Sequence, residues 1–197
     1  MNTLLKYITI IFILLVSCKK TTTEISENTI LKTSKTINLV SEKSVISTII
    51  NPKRNYNRTA INKVFDIKKR EMYAKGLKRG YNENIKNAVF TDGYTGKRLL
   101  GGTKYEYDHV RSAEYIYNKY KSILTDDEIA QVVNCNENII TTSTKINRAK
   151  GKRPLENLLD NINKKKELEI NSKLAIQNLK NADKGIQRKI REILLDR

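Results

Sequence analysis

Tryptophan is absent from this 197-residue chain, and it holds only two prolines, two cysteines and one histidine. Each scarcity removes something. Cys18 and Cys135 form no C-x-x-C pair, so a thiolate zinc site is excluded and no structural zinc is expected. Any imidazole chemistry must rest on His109 alone. Acidic residues are also few, 21 against 38 Lys and Arg, which leaves a net charge of +17. An excess of that size bears on partners more than on fold. It favours polyanions such as nucleic acid or an anionic membrane, the plainer alternative being a solvated, Lys-rich surface. With 39% hydrophobic residues the chain can build one modest core with appendages.

What is present begins with an apolar run from Tyr7 to Val16, preceded by Lys6 and followed by Ser17 and Cys18. About ten apolar residues are too few to span a bilayer, which takes about 20, but they suit the hydrophobic region of a signal peptide. Leu15-Val16-Ser17-Cys18 resembles a bacterial lipobox. That resemblance implies a signal peptide over 1–17, lipidation at Cys18 and an extracytoplasmic, membrane-anchored lipoprotein. An uncleaved anchor or an ordinary secretory signal is the alternative. A lipidated Cys18 cannot form a disulfide, which leaves Cys135 as a lone thiol, expected to be buried as a small hydrophobe. Residues 18–51 are rich in Thr, Ser, Lys and Glu without aromatics or sustained period, and read as a flexible tether, with Ile46–Ile50 as its one candidate strand.

Residues 52–84 form a basic helical segment. Ile61, Val64, Phe65, Ile67 and Met72 recur at near-helical spacing, which predicts a helix from Ala60 to about Leu77, with Gly80 near its end. Over 52–90 eleven basic side chains stand against three acidic ones, with Tyr56, Tyr73 and Tyr81 interleaved. Such a surface can grip phosphates and stack on bases; core-facing tyrosines on a solvated helix are the plainer reading. Next, Asp92-Gly93, Thr95-Gly96 and Gly101-Gly102 punctuate short strands, and Tyr105 and Tyr107 alternate into Asp108 and His109. A helix with Ala113, Ile116, Tyr117, Tyr120, Ile123 and Leu124 on one face is expected next. Thr125-Asp-Asp-Glu128 has the form of a capping box for a second helix. Asn138–Thr144 is short and β-branched, Lys145 to Gly151 is expected to be helical, and from Pro154 the pattern predicts helix to the end.

A cationic chain with one acid–histidine pair and amide oxygens downstream suits metal-assisted attack on a phosphodiester. That reaction needs an activated water, neutralised phosphate charge and a stabilised leaving oxygen, the last two of which a divalent cation supplies. Mg²⁺, or another divalent ion such as Mn²⁺, takes hard oxygen ligands and keeps several waters. Asp108 and Asn147 are the candidate metal ligands, and His109 is the candidate general base. A lone histidine is otherwise a hydrogen-bonded core residue, and Asp108-His109 gains weight only with the asparagines that follow.

Asp108-His109 at a strand end, Asn138 opening the next strand and Asn147-Arg148-Ala-Lys150-Gly151 on a following helix resemble the HNH (ββα-metal) endonuclease family. The form resembled is the zinc-free one in which the last metal-binding histidine is an asparagine, as in the HNH domain of RNA-guided CRISPR effector nucleases. Tyr94-Thr95-Gly96-Lys97 resembles the turn ahead of Asp-His in such proteins. The resemblance covers about residues 85–160 and implies an α+β fold: a small ββα-metal core with a helical insert, flanked by the basic helices of 52–84 and 161–197. It implies that Asn138 holds the His-bearing loop through backbone hydrogen bonds and that Arg148 or Lys150 contacts phosphate. Two departures stand out, the missing zinc-knuckle cysteines and the insert at 112–133. The expected activity is hydrolysis of nucleic acid, DNA favoured over RNA. The rival is a non-catalytic cationic lipoprotein that binds polyanions or a protein partner; a third reading keeps the nuclease as a toxin or a defence effector, to which an immunity protein encoded next door would point.

Overall fold

The computed structural model describes residues 50–100 and 103–197; the expectations for 1–17, for nearly all of 18–51 and for Gly101-Gly102 lie outside the described residues. Helix α1 (Arg58–Asn82) starts where Asn57 accepts a hydrogen bond from the Ala60 amide. It runs longer than the apolar spacing predicts at both ends. Only Ile61, Gly76 and Gly80 are buried on it, and Ile67, expected on the packed face, is 45% exposed. The two glycines have a packing reason: a Cβ at Gly76 would sit 2.5 Å from the Phe90 ring, and one at Gly80 would sit 2.1 Å from the Asn87 carbonyl oxygen. They let the returning chain pass directly against the helix.

That chain forms a small hairpin, β1 (Phe90–Thr91) with β2 (Arg98–Leu99). Its turn is built on Asp92, whose Oδ1 accepts from the amides of Tyr94 and Thr95 at 2.8 and 3.1 Å. Gly96 supplies the left-handed conformation at φ 76°. Asp92 Oδ2 reaches the next sheet, accepting from Thr142 Oγ1 at 3.0 Å and the Ser143 amide at 2.8 Å.

That sheet pairs β3 (Tyr105–His109) antiparallel with β4 (Ile139–Ser143), in a register that sets Tyr105 opposite Ser143 and His109 opposite Ile139. Between these strands lie α2 (Ala113–Tyr120), α3 (Asp126–Val133) and a 3-10 turn at Asn136–Asn138. α3 begins with the capping box expected at Thr125 and Glu128, both hydrogen bonds being present. Ser143 ends β4 and also caps α4 (Thr144–Lys150), so the strand runs directly into a helix that folds back over the β3–β4 sheet. The helical stretch expected from Pro154 onward breaks into α5 (Leu155–Asp160), α6 (Ile162–Glu167) and α7 (Ser172–Leu195). Among the described residues the architecture is α+β, mixed helix and two small antiparallel sheets.

α7 is the spine of the packing. Its Ile186, Ile190 and Ile193 meet Ile116, Leu124, Ile129 and Val133 of the insert, together with Ile61 of α1. Its Ala175, Leu179 and Ala182 meet Tyr94, Val110, Ile146 and Leu158 around the hairpin. Each fully buried Leu or Ile contributes roughly 1.5–3 kcal/mol, so one helix links the insert and the hairpin through two apolar clusters. The insert packs between α1 and α7. Cys135 is buried in the first cluster, and burial raises its thiol to about 11.

Candidate functional site

Successive strand side chains point to opposite faces, and β3 uses both. His109 turns toward α1 and α3, and its ring stacks on Phe65 with centroids 4.2 Å apart. Its Nε2 lies 2.9 Å from Asn134 Oδ1. The Asn134 Nδ2 donates to the carbonyls of Ile61 and Ala130 at 3.0 and 2.8 Å, which fixes the amide with its oxygen toward the ring. Nε2 must then carry the proton, and Nδ1 is left as the acceptor. Burial, followed by the positive charges of Lys150, Arg58 and Lys69, lowers the His109 pKa to about 4 against the hydrogen bond to Asn134. At neutral pH the ring is uncharged.

Asp108 turns the other way, toward α4. Asn147 and Lys150 are three apart on one helix face, and Glu106 and Asp108 are two apart on one strand face; the two pairs meet as rungs. Asn147 Nδ2 donates to Glu106, which leaves its carbonyl oxygen Oδ1 for a donor or a cation. Lys150 Nζ lies 3.1 Å from Asp108 Oδ1 and 2.8 Å from the His109 carbonyl oxygen. The second Asp108 oxygen accepts from the hydroxyl of fully buried Tyr94 at 2.6 Å. Burial still pushes the Asp108 carboxyl above the usual carboxylate range, over the opposing effects of Lys150 and Tyr94.

Asn138 is fully buried. Its Oδ1 accepts from the Arg111 amide at 2.7 Å, its Nδ2 donates to the Arg111 and Val133 carbonyls, and its own carbonyl accepts from the Val110 amide at 2.9 Å. It thus pins the two residues that follow His109. Arg111 is anchored further by ion pairs to Asp183 at 2.7 Å and Glu156 at 2.6 Å.

Asp108, His109, Asn147, Arg148 and Lys150 all line one open cavity of about 390 Å³, which Arg58, Asn62 and Phe65 of α1 also line. Arg148 is exposed there. Lys150, expected at a phosphate, is instead buried as the partner of Asp108. Cys18 lies outside the described residues. Sequence spacing did not reveal Tyr94, Asn134, Glu106 or Phe65 as members of the site; the signal that existed was the Tyr94-Thr95-Gly96-Lys97 turn, read only as a turn.

Among the described residues no group of three or more His, Cys, Asp or Glu side chains could hold a metal ion. The donor set that is present, one carboxylate and one amide oxygen beside an open cavity, suits a hard divalent cation that keeps most of its waters. An ammonium group already lies against Asp108, so the carboxylate is in a position that takes a cation. No protein-family model matches this chain, and neither does any curated protein or solved structure.

Proposed function

We propose that this chain is a metal-dependent endonuclease of HNH type that hydrolyses phosphodiester bonds of nucleic acid, with DNA favoured over RNA. The observation that carries the reading is the geometry at His109: its Nε2 is paired with Asn134, and the residue lines a cavity shared with Asp108, Asn147 and two arginines. In the proposed ββα-metal core, β3 and β4 form the hairpin and α4 the helix, with α2 and α3 as the insert.

His109 Nδ1 takes a proton from water while the water oxygen bonds to phosphorus and the bond to the leaving oxygen breaks. That oxygen leaves with a proton from solvent. A divalent cation held by Asp108 and Asn147 Oδ1 would neutralise the phosphate and the leaving oxygen. Arg148 and Arg58 contact the phosphate backbone. Asn134 and Asn138 are positioning residues, one for the tautomer and one for the loop, and Tyr94 orients Asp108. With no base-reading element among the described residues, sequence preference should be weak.

The second reading is a non-catalytic cationic lipoprotein that binds polyanions or a protein partner. It is favoured by Asp108, whose two oxygens are both already engaged within the protein. Supercoiled plasmid incubated with the detergent-solubilised full chain separates the two readings: cutting with Mg²⁺ or Mn²⁺, stopped by EDTA, is expected of the nuclease, and retention of plasmid without cutting is expected of the binder. The lipobox-like Leu15-Val16-Ser17-Cys18 supports anchoring outside the cytoplasm through Cys18. Mass spectrometry of the mature N-terminus tests it; an unmodified N-terminus upstream of Cys18 would rule the anchor out.

A further inference from the structure

Lys150 is the least expected member of the site. Its side chain is 1% exposed, and its ammonium is held by a carboxylate oxygen of Asp108 and the main-chain carbonyl of His109. Those are the hard oxygen donors that a divalent cation also takes. Lys150 is the last residue of α4, followed by Gly151 at φ 57°, and both line the open cavity. Lys150 thus sits at a helix end that borders the cavity.

We propose that Lys150 is the resting occupant of the cation position at Asp108, that it must leave before a divalent ion can bind there, and that its released ammonium is received by the phosphate of the substrate. The inference rests on the nuclease reading above. Two cations cannot share one buried carboxylate at ordinary separations without strong repulsion. Divalent ion binding to the free protein is therefore opposed by Lys150, and nucleic acid in the cavity relieves that opposition by offering the ammonium another anion. Such coupling is reciprocal: the ion tightens nucleic acid binding by the factor by which nucleic acid tightens ion binding.

Mn²⁺ binding to the full chain in detergent, read by electron paramagnetic resonance, provides the test. Lys150→Met is expected to bind Mn²⁺ at least about tenfold more tightly than the unaltered chain. Lys150→Arg, which keeps the charge, should stay within about threefold of it. The unaltered chain supplies a readout that needs no variant. Lys150 should resist acetic anhydride in EDTA and become acetylated when Mn²⁺ is saturating, as read by peptide mass spectrometry. Equal Mn²⁺ affinity in Lys150→Met, or equal protection of Lys150 with and without Mn²⁺, overturns the inference. Mn²⁺ binding and plasmid cutting would still stand in that case. If neither the unaltered chain nor Lys150→Met binds Mn²⁺ and plasmid stays intact, the nuclease reading falls as well.

Discussion

Asn134 Oδ1 lies 2.9 Å from His109 Nε2, and this one contact decides which ring nitrogen holds the proton. Asn134→Ala should lower the cleavage rate by about tenfold to a hundredfold, the usual cost of losing an orienting partner of a histidine, with little change in KM. Asn134→Asp keeps the acceptor and adds a negative charge that favours the imidazolium. The acidic limb of its rate profile should move up from near pH 4. A purely structural Asn134 would lower stability in both variants and leave the limb where it is.

The depressed His109 pKa also predicts a pH dependence of folding. An unfolded histidine titrates near 6.5 and the folded one at about 4, so the unfolded chain binds more protons between those values. The stability associated with a neutral His109 is fully present above about pH 6.5 and falls as the pH drops toward 4, by up to about 3 kcal/mol. Urea unfolding at pH 7 and pH 4.5 should show a smaller acid loss in His109→Gln than in the unaltered chain. Equal losses in the two would contradict the assigned environment.

Asp92 should matter for stability alone. Its carboxylate is 1% exposed and accepts four hydrogen bonds that join the β1–β2 turn to β4. Asp92→Ala strands those donors and should cost about 2–4 kcal/mol. Thermal unfolding would reveal it, and a change below about 0.5 kcal/mol would refute the role.

Arg148 is exposed at the cavity rim and forms no ion pair among the described residues. Arg148→Ala should weaken duplex binding similarly for all sequences and reduce the slope of log affinity against log salt by about 0.9. Filter binding at several salt concentrations measures both. An unchanged slope would remove Arg148 from the phosphate contacts.

Elements whose causes are local were legible in the sequence. The Thr125–Glu128 capping box, the Thr95-Gly96 turn and the short helix ending at Gly151 depend on a few neighbouring residues, and all were expected. So was the strand carrying Asp108 and His109. The apolar stripes after Pro154 predict helices to the end of the chain but not where they break; Asn161 and Asn171 are the caps that start the last two. α1 was read too short because glycine in a helix suggests an end, whereas Gly76 and Gly80 serve close packing. The candidate site divides in the same way. Asp108, His109 and Asn147 follow from residue type and order along the chain, and Asn138 from the family resemblance. Tyr94, Asn134 and the burial of Lys150 arise from contacts 14, 25 and 42 residues apart, which no local pattern encodes.

Plasmid cleavage by the full chain and by His109→Ala, each with Mg²⁺, with Mn²⁺ and with EDTA, tests the nuclease proposal most directly. The account predicts metal-dependent nicking or linearisation that EDTA abolishes and that His109→Ala slows by about a hundredfold or more, the usual contribution of a general base. Plasmid left intact under every divalent ion, or cut equally well by His109→Ala, would contradict it.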